Sequence, residues 1–285
     1  MEVKMLHNKI VEFSKNNFNL KALICGTKQN AFVIGSHIYY PRTFSDNLKT
    51  NLQLICADTR GFVPDNAYHK AEDFTLDKMV QDIQEMLISF GLDKIILIGH
   101  SIHAFMALEY AYRFPDKVSH LILIASSPIV GPELYKEADR YFEESVCPER
   151  KATFTQTMQK FVESNDQSFI QRMLAFGPRL WYNYNFDASK IWEDVAINST
   201  GAGIIWGTIF ENFDIIKVLK EIKCPIFLAL GRYDYFNPPH LWEKYRDYIS
   251  NFTVRIFEKS SHTPQLEEAS NFDKELIEWL ESRKY

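Results

Sequence analysis

Ser101, Asp234 and His262 stand in the chain order in which a hydroxyl, a carboxylate and an imidazole could act together on an acyl carbon. A serine hydroxyl is a weak nucleophile until a base takes its proton. Imidazole suits that task near neutral pH, and a carboxylate fixes its tautomer and stabilises its charged form. Ser101 lies in KIILIGHSIHAFMALEYAYRFP, residues 94–115. Four apolar residues, Ile95 to Ile98, run into Gly99-His100-Ser101-Ile102-His103 and then into helix-like sequence. Strand, sharp turn and helix in that order form the pattern of a nucleophile elbow, which lifts the serine out of a sheet and sets a helix N-terminus beside it.

Asp234 follows one apolar run, in Leu230-Gly231-Arg232-Tyr233-Asp234, and His262 follows another, in Phe257-Glu258-Lys259-Ser260-Ser261-His262. Both fall at the carboxyl ends of strand-like segments, where functional loops gather in open sheets. His7, His37, His69, His100, His103, His120 and His240 compete less well, since most lie in helix-like segments, near the amino terminus or ahead of a strand. Glu267 and Glu268 follow His262 too closely to be the first choice of acid, and are expected to cap or face the last helix. Charge developing on a carbonyl oxygen calls for oriented N–H groups. The Ile102 N–H is the first expected donor to this oxyanion hole. The second is expected from Gly35-Ser36-His37, with the His37 N–H preferred and Ser36 as the near alternative.

The elements that must position these groups alternate. Strand-like runs are predicted at Lys9–Phe13, Leu20–Cys25, Ala31–Ile34, Leu52–Ala57, Ile95–Ile98, Leu121–Ala125, Ile226–Leu230 and Val254–Phe257. Several are continuous rather than alternating apolar runs, the signature of strands covered on both faces and hence of a mostly parallel sheet. Amphipathic spacing predicts helices over Leu76–Phe90 and Phe272–Leu280, and a mostly apolar, buried helix over Ile102–Arg113. Residues 128–219 break the rhythm: the stretch is rich in aromatic residues and has no convincing central strand. The fold class is therefore α/β, an eight-stranded mostly parallel sheet flanked by helices with a helical cap inserted after the sixth strand. The core is expected to comprise 1–127 and 220–285, with the cap at 128–219.

Composition narrows the classes. Hydrophobic residues make up 46%, charged residues 24%, and the formal net charge is -5 without a long basic run, which argues against nucleic acid or an anionic membrane as partner. The four cysteines are widely spaced and form no C-x-x-C pair, so disulfides and a zinc cluster are not expected. No H-E-x-x-H or G-x-G-x-x-G pattern calls for a metal or a nicotinamide, and no cofactor is expected. No segment reaches the ~20 apolar residues of a membrane span, and the amino terminus lacks a signal-length apolar stretch, so a cytoplasmic location is the default expectation.

These residues resemble the α/β-hydrolase fold and, within it, the prolyl aminopeptidase (proline iminopeptidase) branch of serine hydrolases. Gly99-His100-Ser101-Ile102 resembles that branch's elbow, Asp58-Thr59-Arg60-Gly61 its D-x-R-G stretch, Gly231-Arg232-Tyr233-Asp234 with Pro238 its acid loop, and Lys259-Ser260-Ser261-His262 its histidine loop. Phe114-Pro115-Asp116-Lys117-Val118 matches the common turn before the sixth strand. The resemblance spans the chain outside the cap. Three positions depart from it. His103 stands where the elbow's second glycine is usual, Ser261 stands where the histidine loop has glycine, and Gly35-Ser36-His37-Ile38-Tyr39 replaces the glycine-rich His-Gly-Gly-Pro-Gly loop. With these departures the chain is expected to be a serine hydrolase that cleaves a small ester or related acyl substrate through an acyl-enzyme, and the resemblance implies the alternative, removal of an N-terminal residue from a peptide. An aminopeptidase must bind an ammonium group, for which Glu143, Glu144, Glu193 and Glu211 are the candidate cap carboxylates. His103, Ser36 and Trp206 complete the expected pocket. A binding protein that kept the scaffold but lost catalysis is the rival reading.

Overall fold

The computed structural model describes residues 8–145, 147–248 and 251–283. Strands β1 (Lys9–Lys15) and β2 (Phe18–Cys25) form an antiparallel hairpin. Its two turn residues, Asn16 and Asn17, both adopt positive φ (49° and 65°), as a two-residue turn between twisted strands demands. Strand β3 (Gln29–Gly35), helix α1 (Asp46–Asn51) and strand β4 (Leu52–Asp58) follow. Then come α2 (Leu76–Ser89), β5 (Ile95–His100), α3 (His103–Arg113) and β6 (Val118–Ile124).

The sheet order is β1-β2-β4-β3-β5-β6-β7-β8, with β7 at Ile226–Gly231 and β8 at Phe252–Phe257. β2 pairs antiparallel with β4, and every neighbour from β4 to β8 is parallel. All six residues of β5 and of β7 are buried, as the continuous apolar runs require. One face packs on α2 and α3 through Met79, Ile83, Leu108 and their neighbours. The other packs on α1 and the last helix through Leu48, Phe272 and Leu276. After β3 the chain steps outward to β4 and then returns to β5 on the opposite side. The carboxyl ends of β3 and β5 thus flank a switch of direction, the place where an open parallel sheet forms its crevice.

Between β6 and β7 the described residues form helices α4 (Pro132–Ser145), α5 (Pro148–Glu163), α6 (Phe169–Ala175), α7 (Gly177–Leu180), α8 (Ser189–Trp192), α9 (Ser199–Ile205) and α10 (Ile215–Glu221), and no strand. Gly61, just after β4, lies so close to α9 that a Cβ there would meet Ile205 Cδ1 at 2.6 Å. Helix α10 packs its Ile215, Val218 and Leu219 into the core beside α3, so a division at residue 219 would cut a helix of the core layer. After β8 come α11 (Pro264–Glu267) and α12 (Ala269–Glu281). The Asp58-Thr59-Arg60-Gly61 stretch is structural. Arg60 donates two hydrogen bonds to the buried Asp82 carboxylate, at 2.6 and 2.9 Å, and so ties the β4 loop to α2.

Candidate active site

Ser101 sits between β5 and α3 with φ of 54°, a left-handed conformation that a non-glycine residue adopts only where its surroundings enforce it. The enforcement is visible. Its N–H donates to the Ile124 carbonyl at 2.8 Å, and its own carbonyl receives the Ala104 N–H at 3.1 Å. A Cβ on Gly99 would lie 2.7 Å from Ala104 Cα and from the His103 carbonyl oxygen, so glycine there lets α3 press onto the end of β5. The close approach is made through Gly99 and Ala104. His103 therefore keeps its side chain, which turns away from this contact toward Phe62 and Trp206.

Asp234 and His262 come from the loops after β7 and β8. Asp234 Oδ1 accepts the N–H groups of Phe236 (3.0 Å) and Asn237 (2.8 Å). Its Oδ2 faces His262 Nδ1 at 2.8 Å, and His262 Nε2 lies 3.0 Å from Ser101 Oγ. Asp234 is 1% exposed and His262 8%, so this pair of contacts is shielded from solvent competition. The histidine loop is held from several sides. His262 N–H donates to the Leu180 carbonyl of α7. Ser261 Oγ lies 2.7 Å from the Tyr233 oxygen and 3.0 Å from the Arg179 oxygen, so a hydroxyl bridges at the place where glycine is usual.

Glu268 stands at the N-cap position of the last helix, as expected, where its carbonyl accepts the Phe272 N–H at 2.8 Å, whereas Glu267 turns to the histidine loop, whose unpaired donors lie nearer. Glu267 accepts from the N–H groups of Ser261, Thr263 and Tyr182. Glu268 accepts from the Lys259 N–H and the Ser260 hydroxyl. Burial pushes the Glu267 carboxyl up to about 7 against the downward pull of its three N–H partners.

The two expected oxyanion donors differ in what they bond. The Ile102 N–H has no protein acceptor among the described hydrogen bonds and stands beside Ser101. The loop after β3 is different. His37 donates its N–H to Asp58 Oδ1 at 2.8 Å and sets its ring Nδ1 2.8 Å from the same carboxylate. It lies in a surface hollow with Arg42 and Lys49, away from Ser101. The buried Ser36 hydroxyl accepts from the N–H groups of Ile38 (3.2 Å) and Tyr39 (3.1 Å), so it organises the loop and does not line the pocket. The Asp58 carboxylate, at the end of β4, is what draws His37 aside.

Two chambers meet at Ser101. The larger, about 340 Å³, is mainly apolar, with Phe105, Ile129, Leu134 and Phe210 on its walls. The smaller, about 70 Å³, is bounded by Tyr39, Tyr40, Phe62, His103 and Trp192, with His262 at its edge. Trp206 and Phe236 separate them and face both. Of the expected pocket residues, His103 and Trp206 are there. Glu143, Glu144, Glu193 and Glu211 line neither chamber. Glu143 pairs with Lys151 at 2.6 Å, Glu144 with Arg140 at 2.8 Å, and Glu193 faces Lys190 at 3.6 Å, while Glu211 is exposed, so all four sit on solvated helix faces or turns. The carboxylate that does border the larger chamber is Asp139, held by Arg179 at 2.6 Å.

Sequence reasoning missed Tyr40 and the part played by His100. The Tyr40 hydroxyl lies 3.3 Å from His100 Nδ1 and 3.2 Å from His103 Nδ1, and His100 Nε2 lies 2.7 Å from the His262 oxygen. Tyr40 packs so tightly on Gly35 (φ 145°) that a Cβ there would meet the ring at 2.0 Å. Two histidines flanking the elbow serine, at 100 and 103, were the available signal.

A sequence model of the alpha/beta hydrolase fold family matches residues 26–269. The chain is 32% identical to the AB hydrolase superfamily protein YclE of Bacillus subtilis over 271 residues, which cover 93% of this chain and 96% of that one. It is 26% identical to a proline iminopeptidase of Heyndrickxia coagulans over 214 residues, 69% of this chain and 70% of that one. Among solved structures, VinJ superposes with a TM-score of 0.75 at 17% identity, over 96% of this chain and 98% of VinJ. By sequence and by fold, the chain belongs to the α/β-hydrolase family.

Proposed function

We propose that the chain is a serine hydrolase that cleaves a small ester or related acyl substrate through an acyl-enzyme. The observation that carries the reading is the His262 imidazole placed between Ser101 Oγ at 3.0 Å and Asp234 Oδ2 at 2.8 Å. His262 takes the Ser101 proton as the hydroxyl attacks the acyl carbon, and the Ile102 N–H receives the oxyanion. The tetrahedral adduct expels its alcohol, which takes the proton from His262. Water, deprotonated by the same imidazole, then attacks the acyl carbon, and as the acyl–Oγ bond breaks His262 returns the proton to Ser101 and the acid is released. Asp234 holds the Nδ1–H tautomer and stabilises the imidazolium.

Two features favour ester over peptide. One oxyanion donor is typically worth ~3 kcal/mol of transition-state stabilisation, and with the His37 N–H bonded to Asp58 the hole has fewer ready donors for the harder amide bond. An ammonium also needs a free carboxylate, and Asp139, which borders the larger chamber, is already paired with Arg179. The apolar walls of that chamber suit an uncharged substrate. The aminopeptidase reading is kept alive by the proline iminopeptidase relative.

Turnover of p-nitrophenyl acetate and of proline p-nitroanilide separates the two. We expect hydrolysis of the ester, little of the anilide, and loss of ester turnover in Ser101→Ala without loss of the fold. Equal ester turnover in Ser101→Ala contradicts the serine assignment. Preferential cleavage of the anilide returns the peptide reading. Inactivity on both, with a folded protein that binds esters, favours the non-catalytic rival.

A further inference from the structure

Resting on the serine-hydrolase reading above, we infer that His103 Nε2 is a hydrogen-bond acceptor in the wall of the small chamber, and that it selects acyl groups carrying a hydroxyl. Three hydrogen bonds and one gap lead there. His100 Nε2 lies 2.7 Å from the His262 backbone oxygen. A carbonyl oxygen only accepts, so His100 carries a proton on Nε2. Burial, reinforced by the His262 ring, holds the His100 imidazole well below its ordinary pKa. It is therefore neutral, and its Nδ1 is a bare lone pair. The Tyr40 hydroxyl, 3.3 Å from that Nδ1, donates to it. Its single proton is then engaged. The Tyr40 oxygen, 3.2 Å from His103 Nδ1, must accept from that nitrogen.

His103 thus carries a proton on Nδ1. Burial lowers its pKa to about 4, so at neutral pH the ring has no second proton. Nε2 is left as a lone pair. That atom is almost wholly covered and has no partner among the described residues, so a ligand donor reaches it only when the Phe62 or Trp206 ring packed on His103 gives way. The direction of the relay excludes one role and indicates another. A bare nitrogen repels an oxyanion, so His103 does not supply the missing oxyanion donor. It calls for a donor from the ligand, and an unmatched buried acceptor gains most from receiving one.

The surroundings say which donor. No carboxylate among the described residues lines the small chamber, whose walls include Tyr39, Phe62, Trp192 and Trp206. A neutral hydroxyl enters such a site at far lower desolvation cost than an ammonium. At about 70 Å³ the small chamber takes only a short acyl group. No exposed residue lines the small chamber, whereas exposed Tyr135 and Arg172 border the larger one. The larger chamber, bordered by those exposed side chains, gives a leaving alcohol its way out. The acyl group, which stays on Ser101, then takes the smaller one.

The test uses the whole protein and matched p-nitrophenyl esters: 2-hydroxypropionate against 2-methylpropionate, 3-hydroxybutyrate against 3-methylbutyrate, and 2-aminopropionate as the ammonium arm. Each kcat/KM is divided by the ester's own alkaline hydrolysis rate, which removes intrinsic reactivity. We expect at least one hydroxy ester to exceed its methyl isostere by about 10- to 100-fold, the range of one buried hydrogen bond left unmade. In His103→Phe that ratio should fall at least tenfold. In ¹⁵N-histidine NMR of the wild type, His103 should show a protonated Nδ1 and an unprotonated Nε2.

Ratios within twofold for both pairs overturn the inference, as does a protonated Nε2. Preference for the amino ester assigns the chamber to an ammonium instead. Should His103→Phe not unfold cooperatively, the wild-type ratios and the NMR tautomer still decide. Fluorophosphonate labelling of wild-type Ser101 keeps the two readings apart. A labelled serine without hydroxyl preference refutes the subsite alone, and an unlabelled serine refutes the serine mechanism while the tautomer measurement still judges the acceptor.

Discussion

Asp234 shows how much one side chain is asked to do. Its Oδ1 is held by two backbone N–H groups, which leaves Oδ2 aimed at His262 Nδ1. Replacing it with asparagine keeps the shape, but a side-chain amide that keeps its oxygen toward the two N–H donors must point its NH₂ at His262. That amide stabilises the wrong imidazole tautomer. We expect Asp234→Asn to lower kcat on a p-nitrophenyl ester by about 10⁴-fold, the magnitude seen where a triad acid is so altered, with the melting temperature little changed. A loss of less than tenfold would mean that His262 does not depend on this carboxylate. The same scale explains what the sequence left hidden. The triad types and their order were legible because each residue closes a strand-like run. The choice of His37 as an oxyanion donor was not, since it turns on where Asp58 points, and Asp58 ends a different strand.

At the scale of elements, the histidine loop depends on a clasp from the last residue of the short helix α11 that follows it. Glu267 closes it by accepting three N–H groups, two of them flanking His262. Glu267→Ala leaves those donors without their acceptor and should cost about 1–3 kcal/mol of stability, measured by urea unfolding. Because the loop carries His262, ester turnover should fall more than binding. An unchanged urea midpoint would show that the clasp is incidental. Strands and helices themselves were readable because burial on both faces writes continuous apolar runs, and because Asn16-Asn17, Gly91 and Pro115 mark turns or stops. The clasp was not readable. Two adjacent glutamates before a helix look like a cap, which Glu268 is, and only the folded loop shows that Glu267 turns away to it. The substrate-facing cap residues were hidden for a related reason: helix-spaced aromatics and glutamates do not say which face the sheet will cover, and the four glutamates face away from both chambers.

For the whole molecule, the buried histidines beside the elbow set an acid limit. The folded-state pKa of His103, about 4, lies below the ordinary 6.5, and His100 is lowered as well. Between those values the unfolded chain binds the protons that the folded chain refuses, so stability is present above pH 6.5 and is lost as pH falls toward 4. For His103 the difference amounts to about 3 kcal/mol. Glu267 acts in the opposite sense: its raised carboxyl contributes stability below its ordinary 4.5 that is lost as pH rises through about 7. The histidine contribution is therefore isolated by comparing urea unfolding of the wild type and His103→Phe across pH 4 to 7. The wild type should lose about 3 kcal/mol relative to the variant at the acid end. Parallel profiles would contradict a neutral, buried His103.

The central claim concerns one alcohol made reactive by two side chains from the far end of the chain. Incubating the intact protein with a fluorophosphonate and mapping the adduct by mass spectrometry tests it most directly. The account predicts a stoichiometric adduct on the peptide containing Ser101, slowed by orders of magnitude in His262→Ala. A folded protein that takes no adduct at Ser101, or takes it as fast without His262, would contradict it.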